Sequence, residues 1–333
     1  METRLVYSTP DYHKLVEYIA LRCYDDFEKS KVEIHKLMHD IMKKEHVNII
    51  NHGNIVFTIA SVDRDNYHDI LDSLVSLKEY NNNIRWSRDP QSNWDFVISL
   101  NILSFIEISL SCNENKLLQH LTEALLIVPS LHWFVDNTYQ IEGSDNPYLQ
   151  NDTDHLQPTV LSSDYIALKE LGLTDYELEM HTTVTVEIVS DRAMLLQDAC
   201  HSDMLGRSEI SQRNVSMSDF KYYVPTGLSN SDVIYSEADG LIQVTYGDIM
   251  HTIALSYDKV MAFCESRGDS KIRAKELASS ILPNAIYSRY IETRPLKQWK
   301  HLFKLRDDVH TLNEKQKNKQ ALLIAFRRVG VPV

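Results

Sequence analysis

Glycine is scarce in this chain, nine among 333 residues. Neither GxGxxG nor GxxxxGK followed by Ser or Thr occurs. Those turns let a backbone close on a pyrophosphate, so dinucleotide-fold and P-loop readings lack their essential residues. Any nucleotide has to be held by another scheme. Cysteine is equally sparse. Cys23, Cys112, Cys200 and Cys264 are scattered and form no CxxC pair, which reads as buried free thiols rather than disulfides or a zinc site. No apolar run approaches the ~20 residues of a membrane-crossing helix. The opening METRLVYSTPDYHK has no apolar core of a signal peptide, so a cytoplasmic location without a membrane partner is expected. A net charge of −13 speaks against a nucleic-acid polymer as partner. It leaves room for a mononucleotide, which needs only a local cluster of cations.

The most informative stretch is HTTVTVEIVSDRAMLLQDACHSDMLGRSEISQRNV, residues 181–215. Thr182, Val184, Val186 and Ile188 alternate with Thr183, Thr185 and Glu187. A period of two in β-branched residues predicts a strand. The period changes at Ser190-Asp191, where Ser190 is placed to cap a helix and Asp191 suits its positive end. Leu196, Cys200 and Met204 recur at helical spacing, and Gln197 and His201, four apart, share a face. The helix is expected to stop near Gly206. A polar loop dense in donors follows, Arg207-Ser208-Glu209-Ile210-Ser211-Gln212-Arg213. Strand, helix and donor-rich loop together suit a phosphate or a nucleotide.

Elsewhere the patterns predict a strand over 3–9, a helix opened by Thr9-Pro10, a second helix over 29–45 and a charged helix over 63–80. Residues 94–105 are apolar and lead into helices to about Val135; residues 144–159, with Pro147 and Pro158, read as a loop or linker. Ser216 to Gly240 is polar and turn-rich, 241–246 is a short strand or helix start, and 247–265 is a long helix. A strand is expected over 287–292, a turn at Thr293-Arg294-Pro295-Leu296, a helix over 297–304 and a last helix over 312–327. His46 and His52 have no recognised zinc spacing and read as surface or capping histidines.

These residues resemble the signature of the flavin-dependent thymidylate synthases. That family carries a strand, a Ser-Arg pair opening a helix, an Arg-His-Arg triplet and a Glu-x-Ser-x-Arg loop. Ser190-Asp191-Arg192 is similar to the pair, and Glu209-Ile210-Ser211-Gln212-Arg213 matches the loop. The triplet reads Cys200-His201-Ser202, with one residue more than usual before the loop. Upstream, the segment from Glu45-His46 to His52 resembles the family's Gly-His-x-Ser-x-x-Glu-His turn, with Glu45 in place of glycine and Asn51 in place of glutamate. Downstream, Ala274 to Ala285 resembles Ala-Arg-x-x-Leu-Pro, with Ser279 at the arginine. Trp299-Lys300-His301-Leu302-Phe303-Lys304-Leu305-Arg306 is similar to Trp-Arg-His-Phe-x-x-x-Arg. The likeness keeps family order and covers most of the chain outside 62–165. It implies an α/β (α+β) fold, a central mixed or antiparallel sheet flanked by long helices, in a single domain of residues 1–333 with an inserted lobe at 62–165. That lobe holds no catalytic constellation and reads as a packing or oligomer-contact element.

What the resemblance implies about activity is reductive methylation of dUMP to dTMP, with FAD, NADPH and methylene-tetrahydrofolate, in a homotetramer whose sites are shared between subunits. It places the polarisation of the uracil ring on Arg306, whose alternative role is to neutralise its own helix end. It places nucleotide binding on Gln197, Glu209, Ser211, Gln212 and Arg213, and flavin contacts on His52, His201, Lys297 and His301. Ser211 is not a nucleophile, because no base is fixed beside it in sequence. Cys200, Ser202 and Ser279 replace arginines, and Pro295 replaces an asparagine. Each lost guanidinium removes roughly 1.5–3 kcal/mol of charge-assisted bonding. Arg207, which has no family counterpart, is expected to swing into the phosphate site as compensation. Two further readings stay open: one-carbon transfer to another pyrimidine nucleotide, and a non-catalytic nucleotide-binding paralogue within an assembly.

Overall fold

The computed structural model describes residues 2–9, 12–24, 47–60, 64–88, 95–111, 115–125, 159–200, 204–240, 242–308 and 313–333. The expected helix over 29–45, His46, His201 and the linker over 144–158 lie outside these residues.

The chain folds as α+β, and in place of one central sheet the described residues form two four-stranded antiparallel sheets and a hairpin. In the N-terminal half, β1 (Glu2–Ser8) leads into α1 (Tyr12–Tyr24). A 3-10 turn (Val47–His52) then feeds β2 (Asn54–Ala60). After α2 (Arg64–Tyr80) come β3 (Arg85–Ser87) and β4 (Phe96–Asn101), then α3 (Ile102–Ser111) and α4 (Lys116–Leu125). The strand order is β1-β2-β4-β3, so β3 and β4, from within 62–165, complete the sheet that β1 and β2 begin. Strand β2 is buried on both faces. Ile55, Phe57 and Ile59 pack with α1, α2 and α4, while Val56 points into the core of the other half.

The second sheet starts with β5 (Thr159–Ser163) and two short helices, α5 (Tyr165–Glu170) and α6 (Asp175–His181). Then come β6 (Thr183–Asp191), α7 (Arg192–Ala199) and β7 (Gly206–Glu209). The hairpin β8 (Val233–Glu237) and β9 (Ile242–Thr245) precedes the long α8 (Tyr246–Ser266) and α9 (Lys271–Ala278). Finally come β10 (Tyr287–Pro295), α10 (Leu296–Leu305) and α11 (Asn313–Arg328). The order β5-β6-β10-β7 puts the two longest strands, β6 and β10, at the centre. Leu195, Trp299, Phe303 and Phe326 pack under them in the core.

Four local readings change. The turn expected at Thr293-Arg294-Pro295-Leu296 is a strand that runs to Pro295, paired without interruption from Tyr287↔Asp191 to Pro295↔Thr183. Proline is tolerated there because it ends the strand and opens the helix, where its missing N–H is not needed. The helix after β6 stops at Ala199 instead of near Gly206. Its cap is Asp191 and not Ser190: Met194 N–H donates to Asp191 Oδ1 at 2.9 Å. The first residues of the donor-rich loop form β7, which pairs with β10.

A buried polar seam joins the halves. Asn54 Nδ2 donates to Asp164 at 2.7 Å, Arg85 Nη2 donates to Asn54 Oδ1 at 2.8 Å, and Thr183 N–H donates to Asp164 Oδ1 at 2.7 Å. His181, fully buried, bonds Ser87 and Ser99 through its two ring nitrogens. Desolvation holds His181 neutral and raises the Asp164 carboxyl to about 6.

Candidate functional site

The site forms around α7, because both the strand before it and the loop after β7 are fixed. Glu187 of β6 accepts from Tyr18 at 2.9 Å and pairs with Arg22 at 2.8 Å, which ties α1 to the second sheet. The same helix end holds the loop: Ser211 N–H donates to Cys23 O at 2.9 Å. Ile210 N–H donates to Arg289 O, and Asn214 N–H returns to Ser211 O. Arg192, in the first turn of α7, donates to Gln212 Oε1 at 2.7 Å. The Ser211 amide is therefore committed. Arg213 is exposed and, among the described residues, has no ion pair or hydrogen bond.

An open cleft of about 380 Å3 runs along α7. Asp191, Ala193, Met194 and Gln197 form one wall, and Tyr223, Pro225, Asn284 and Ala285 form the other. The walls meet through backbone bonds, Arg192 N–H to Ile286 O and Ala193 N–H to Asn284 O. Those bonds and the Asp191 cap use the leading amides of α7. The helix end is thus closed to a phosphate, and any phosphate has to find its donors on the loop. Gln197 is exposed in the cleft, and its amide faces the same space as Asn284. Tyr223 stands edge-to-face to Tyr287, ring centroids 6.4 Å apart.

The far end of α7 carries a different arrangement. Arg306 caps the C-terminal end of α10 and is 8% exposed. Its guanidinium pairs with Asp198, whose other carboxylate oxygen accepts from the Tyr290 hydroxyl at 3.2 Å. Arg294, fully buried, donates to Asp198 O at 3.1 Å, pairs with Glu292 and stacks on the Trp299 ring. Burial raises the Glu292 carboxyl to about 7, against the opposing pull of Arg294. Gln212 is tied to Arg192 and Arg306 to Asp198. The loop and Arg306 thus sit at opposite ends of α7, about 9 Å apart along its axis at 1.5 Å per residue.

The remaining sequence-predicted residues divide by exposure. Arg207 points under α7, donating to Leu195 O at 2.9 Å and lying over the Tyr290 ring. Its nearest carboxylate is Glu209 at 3.7 Å. A swing into the loop would break the Leu195 bond, so the structure holds Arg207 as a support for α7. His52 is 1% exposed, with Nδ1 at 2.8 Å from Thr293 Oγ1 and Nε2 at 3.0 Å from Ser208 Oγ. Burial lowers its pKa to about 3, so the ring is neutral and internal. Lys297 and His301 are exposed and four apart on α10, and so share an outward face.

Sequence reasoning missed Asp198, Glu292, Tyr290 and Arg294. Glu292 and Arg294 alternate within what reads as the end of a strand, a signal hidden once the segment is taken for a turn. Asp198 sits on α7 one residue past Gln197, where helical periodicity gives an ionisable residue no reason to be buried.

Comparison with known proteins bears on residues 176–332, which match the family model for thymidylate synthase complementing protein. Curated relatives include the flavin-dependent thymidylate synthases of Mycobacterium bovis (strain BCG / Pasteur 1173P2) and Mycobacterium tuberculosis (strain ATCC 25618 / H37Rv). Each is 22% identical over 176 residues, covering 52% of this chain and 64% of the relative. The enzyme of that name from Mycobacterium sp. (strain JLS) is 21% identical over 178 residues, covering 52% of this chain and 65% of the relative. The chain thus spans under two thirds of the length of these relatives.

Proposed function

Because this chain belongs, through residues 176–332, to the flavin-dependent thymidylate synthase family, we propose that it binds dUMP and methylates it reductively to dTMP. FAD, NADPH and methylene-tetrahydrofolate would be the co-reactants. The observation that carries the reading is the cleft along α7. It offers an aromatic wall at Tyr223 for a flat ring and the amides of Gln197 and Asn284 for the polar edge of a pyrimidine. The loop that carries Arg213, exposed and without an ion pair among the described residues, is tied to the first turn of α7 by the bond from Arg192 to Gln212. A guanidinium fork suits a phosphate dianion. Gln212 and Arg213 are assigned to the phosphate, Gln197 to the base, and Glu209 and Ser211 to holding the loop in shape.

Arg306 is assigned the polarisation of the uracil ring, where a preorganised cation stabilises negative charge developing on the base. Its place at the other end of α7 fits a site shared between copies, Arg306 of one serving the loop of another. The surface favours such an assembly. Helix α8 spans 21 residues and buries only Met250, Tyr257 and Cys264. Leu255 and Phe263 stay exposed, as do Val233, Ile234, Tyr235 and Ile242 of the hairpin. Apolar surface of this kind marks an interface, and a homotetramer is the proposed state.

The residues proposed for the flavin fit it in part. Lys297 and His301 offer a cationic and an imidazole contact on one outward face of α10, a single wall that a neighbouring copy would complete. His52 does not fit a direct contact, since its ring is enclosed and both nitrogens are used; its role here is to fix β7 against β10. When bound, the flavin supplies the reducing equivalents for the transferred carbon.

A second reading rests on Cys200. It stands at the first triplet position, exposed, with its thiol bonded to Leu196 O, so no cation occupies that place. A non-catalytic nucleotide-binding subunit, or transfer to another pyrimidine nucleotide, accommodates this. Titration of the purified protein with dUMP, UMP and dCMP by calorimetry tests the proposal. Binding of dUMP in preference to the others, weakened roughly 10- to 100-fold by Arg213→Ala, is expected from the loss of ~1.5–3 kcal/mol. Absence of dUMP binding by the wild type overturns it.

A further inference from the structure

Helix α11 buries a stripe at positions 315, 319, 322 and 326, the spacing of an amphipathic helix. Leu322 and Phe326 suit a core face; Lys315, 5% exposed, and Lys319, 7% exposed, do not. Lysine is almost never buried without a partner. Lys319 has one in Asp307. Among the described residues Lys315 has no hydrogen bond or ion pair.

Its surroundings offer none. Lys315, Arg306, Asp198 and Lys319 line a void of about 10 Å3, room for about one water and for no ligand. Both oxygens of Asp198 are taken, one by Arg306 and one by the Tyr290 hydroxyl. The other titratable groups that act on Lys315 are Asp191, at the end of β6, and Cys200, just past α7. The charges of Arg306 and Asp198 balance, and so do those of Lys319 and Asp307. Lys315 is left over. A buried ammonium that makes no bond lowers stability, and an apolar chain of similar length in its place is expected to cost none. Packing alone therefore gives no reason for a lysine at this position.

Arg306 is assigned the polarisation of the uracil ring, yet its guanidinium is paired with Asp198. Charge developing on the base feels both partners, and the carboxylate takes away much of the pull of the guanidinium. An unbalanced ammonium beside the pair restores it. We propose, resting on that assignment of Arg306, that Lys315 is a positioning residue for the same step: its charge, set beside the Arg306–Asp198 pair, turns a neutral pair into a net cation at the base. Lys315 does not touch the nucleotide and acts through Arg306.

The test is steady-state dTMP formation with dUMP varied, together with melting temperature, in wild type and variants. Lys315→Met is expected to lower kcat roughly tenfold or more, to leave the KM for dUMP within about twofold, and to melt no lower than wild type. A merely structural lysine would instead lower the melting temperature and spare kcat per folded molecule. Lys315→Arg restores kcat, and the exposed Lys317→Gln leaves it unchanged. A pH profile adds an independent readout. Burial and then the neighbouring Arg306 lower the pKa of Lys315. The wild-type kcat should therefore fall on the alkaline side as Lys315 loses its proton. Arginine stays charged there, so Lys315→Arg should carry activity to higher pH, whereas Cys200→Ser keeps the wild-type fall. Equal kcat in wild type and Lys315→Met overturns the proposal and leaves the assignment of Arg306 standing. A wild type that forms no dTMP overturns both. Should Lys315→Met fail to fold, the alkaline limb decides: the same limb in wild type and Lys315→Arg overturns the proposal, and its displacement supports it.

Discussion

The two halves of this molecule are built from the same parts and put to different use. Each has a four-stranded antiparallel sheet. Each has a strand that runs straight into a helix with a side-chain cap at the joint: Asn101 accepts from Ser104 N–H at 2.7 Å, and Asp191 accepts from Met194 N–H at 2.9 Å. The N-terminal half fills its interior with a large apolar cluster around Ile55, Phe57, Phe96 and Ile98. The C-terminal half places Asp198, Glu292, Arg294, Arg306, Lys315 and Lys319 at or below 8% exposure. Buried charge is costly unless paired. A half that carries so much of it has been shaped by something besides stability, and it is the half that matches thymidylate synthase complementing protein.

The seam between the halves gives the largest expected effect. The His52 ring is held neutral down to about pH 3, whereas in the unfolded chain it takes a proton near 6.5. The unfolded state therefore binds more protons between those values. Its stabilising share is full above about pH 6.5 and is lost as pH falls toward 3, by up to ~5 kcal/mol. Urea unfolding across pH 3–7 should show this acid limb, and His52→Gln should make it shallower, with buried His181 supplying a further part of the same sign.

Next come paired substitutions, one in each half. Phe57→Ala opens a cavity in the N-terminal core, and Arg306→Met leaves Asp198 buried with only the Tyr290 hydroxyl. Each is expected to cost about 3–5 kcal/mol by chemical denaturation. Only the second should also remove dTMP formation, so equal loss of turnover per folded molecule in Phe57→Ala would erase the division of labour.

Much of the fold was legible. Strand β6 announced itself by period two, α8 by helical spacing, and the loop ending at Arg213 by its dense donors. What was not legible came from tertiary context. Thr293-Arg294-Pro295 reads as a turn because proline and charge are turn-like locally; pairing with Val184 and Thr183 makes it strand. Arg207 reads as a free cation, but the Leu195 carbonyl and the Tyr290 ring claim it. The last helix is expected over 312–327, but that Lys315 and Lys319 turn inward beside Leu302 and Phe303 follows only from tertiary packing.

A smaller effect sharpens the contrast within the second half. Glu292 releases its proton near 4.5 when unfolded and at about 7 when folded. The folded state holds the extra proton between those values, so stability falls as pH rises through that window, by about 3 kcal/mol at most. This slope opposes that of His52, and Glu292→Gln should remove it, as read by unfolding at pH 5 and pH 8. The smallest effect tests what the halves share. Asn101→Ala and Asp191→Ala should each cost about 1 kcal/mol as lost caps. Only Asp191→Ala, at the cleft, is expected also to weaken dUMP binding.

The central claim is most directly tested by product analysis. Purified protein is incubated with dUMP, FAD, NADPH and methylene-tetrahydrofolate, and nucleotides are resolved by mass spectrometry. The account predicts dTMP, fourteen mass units (about one CH2) above dUMP, formed by the wild type and not by Arg306→Met. Protein that binds dUMP and FAD yet leaves the nucleotide unchanged would contradict it.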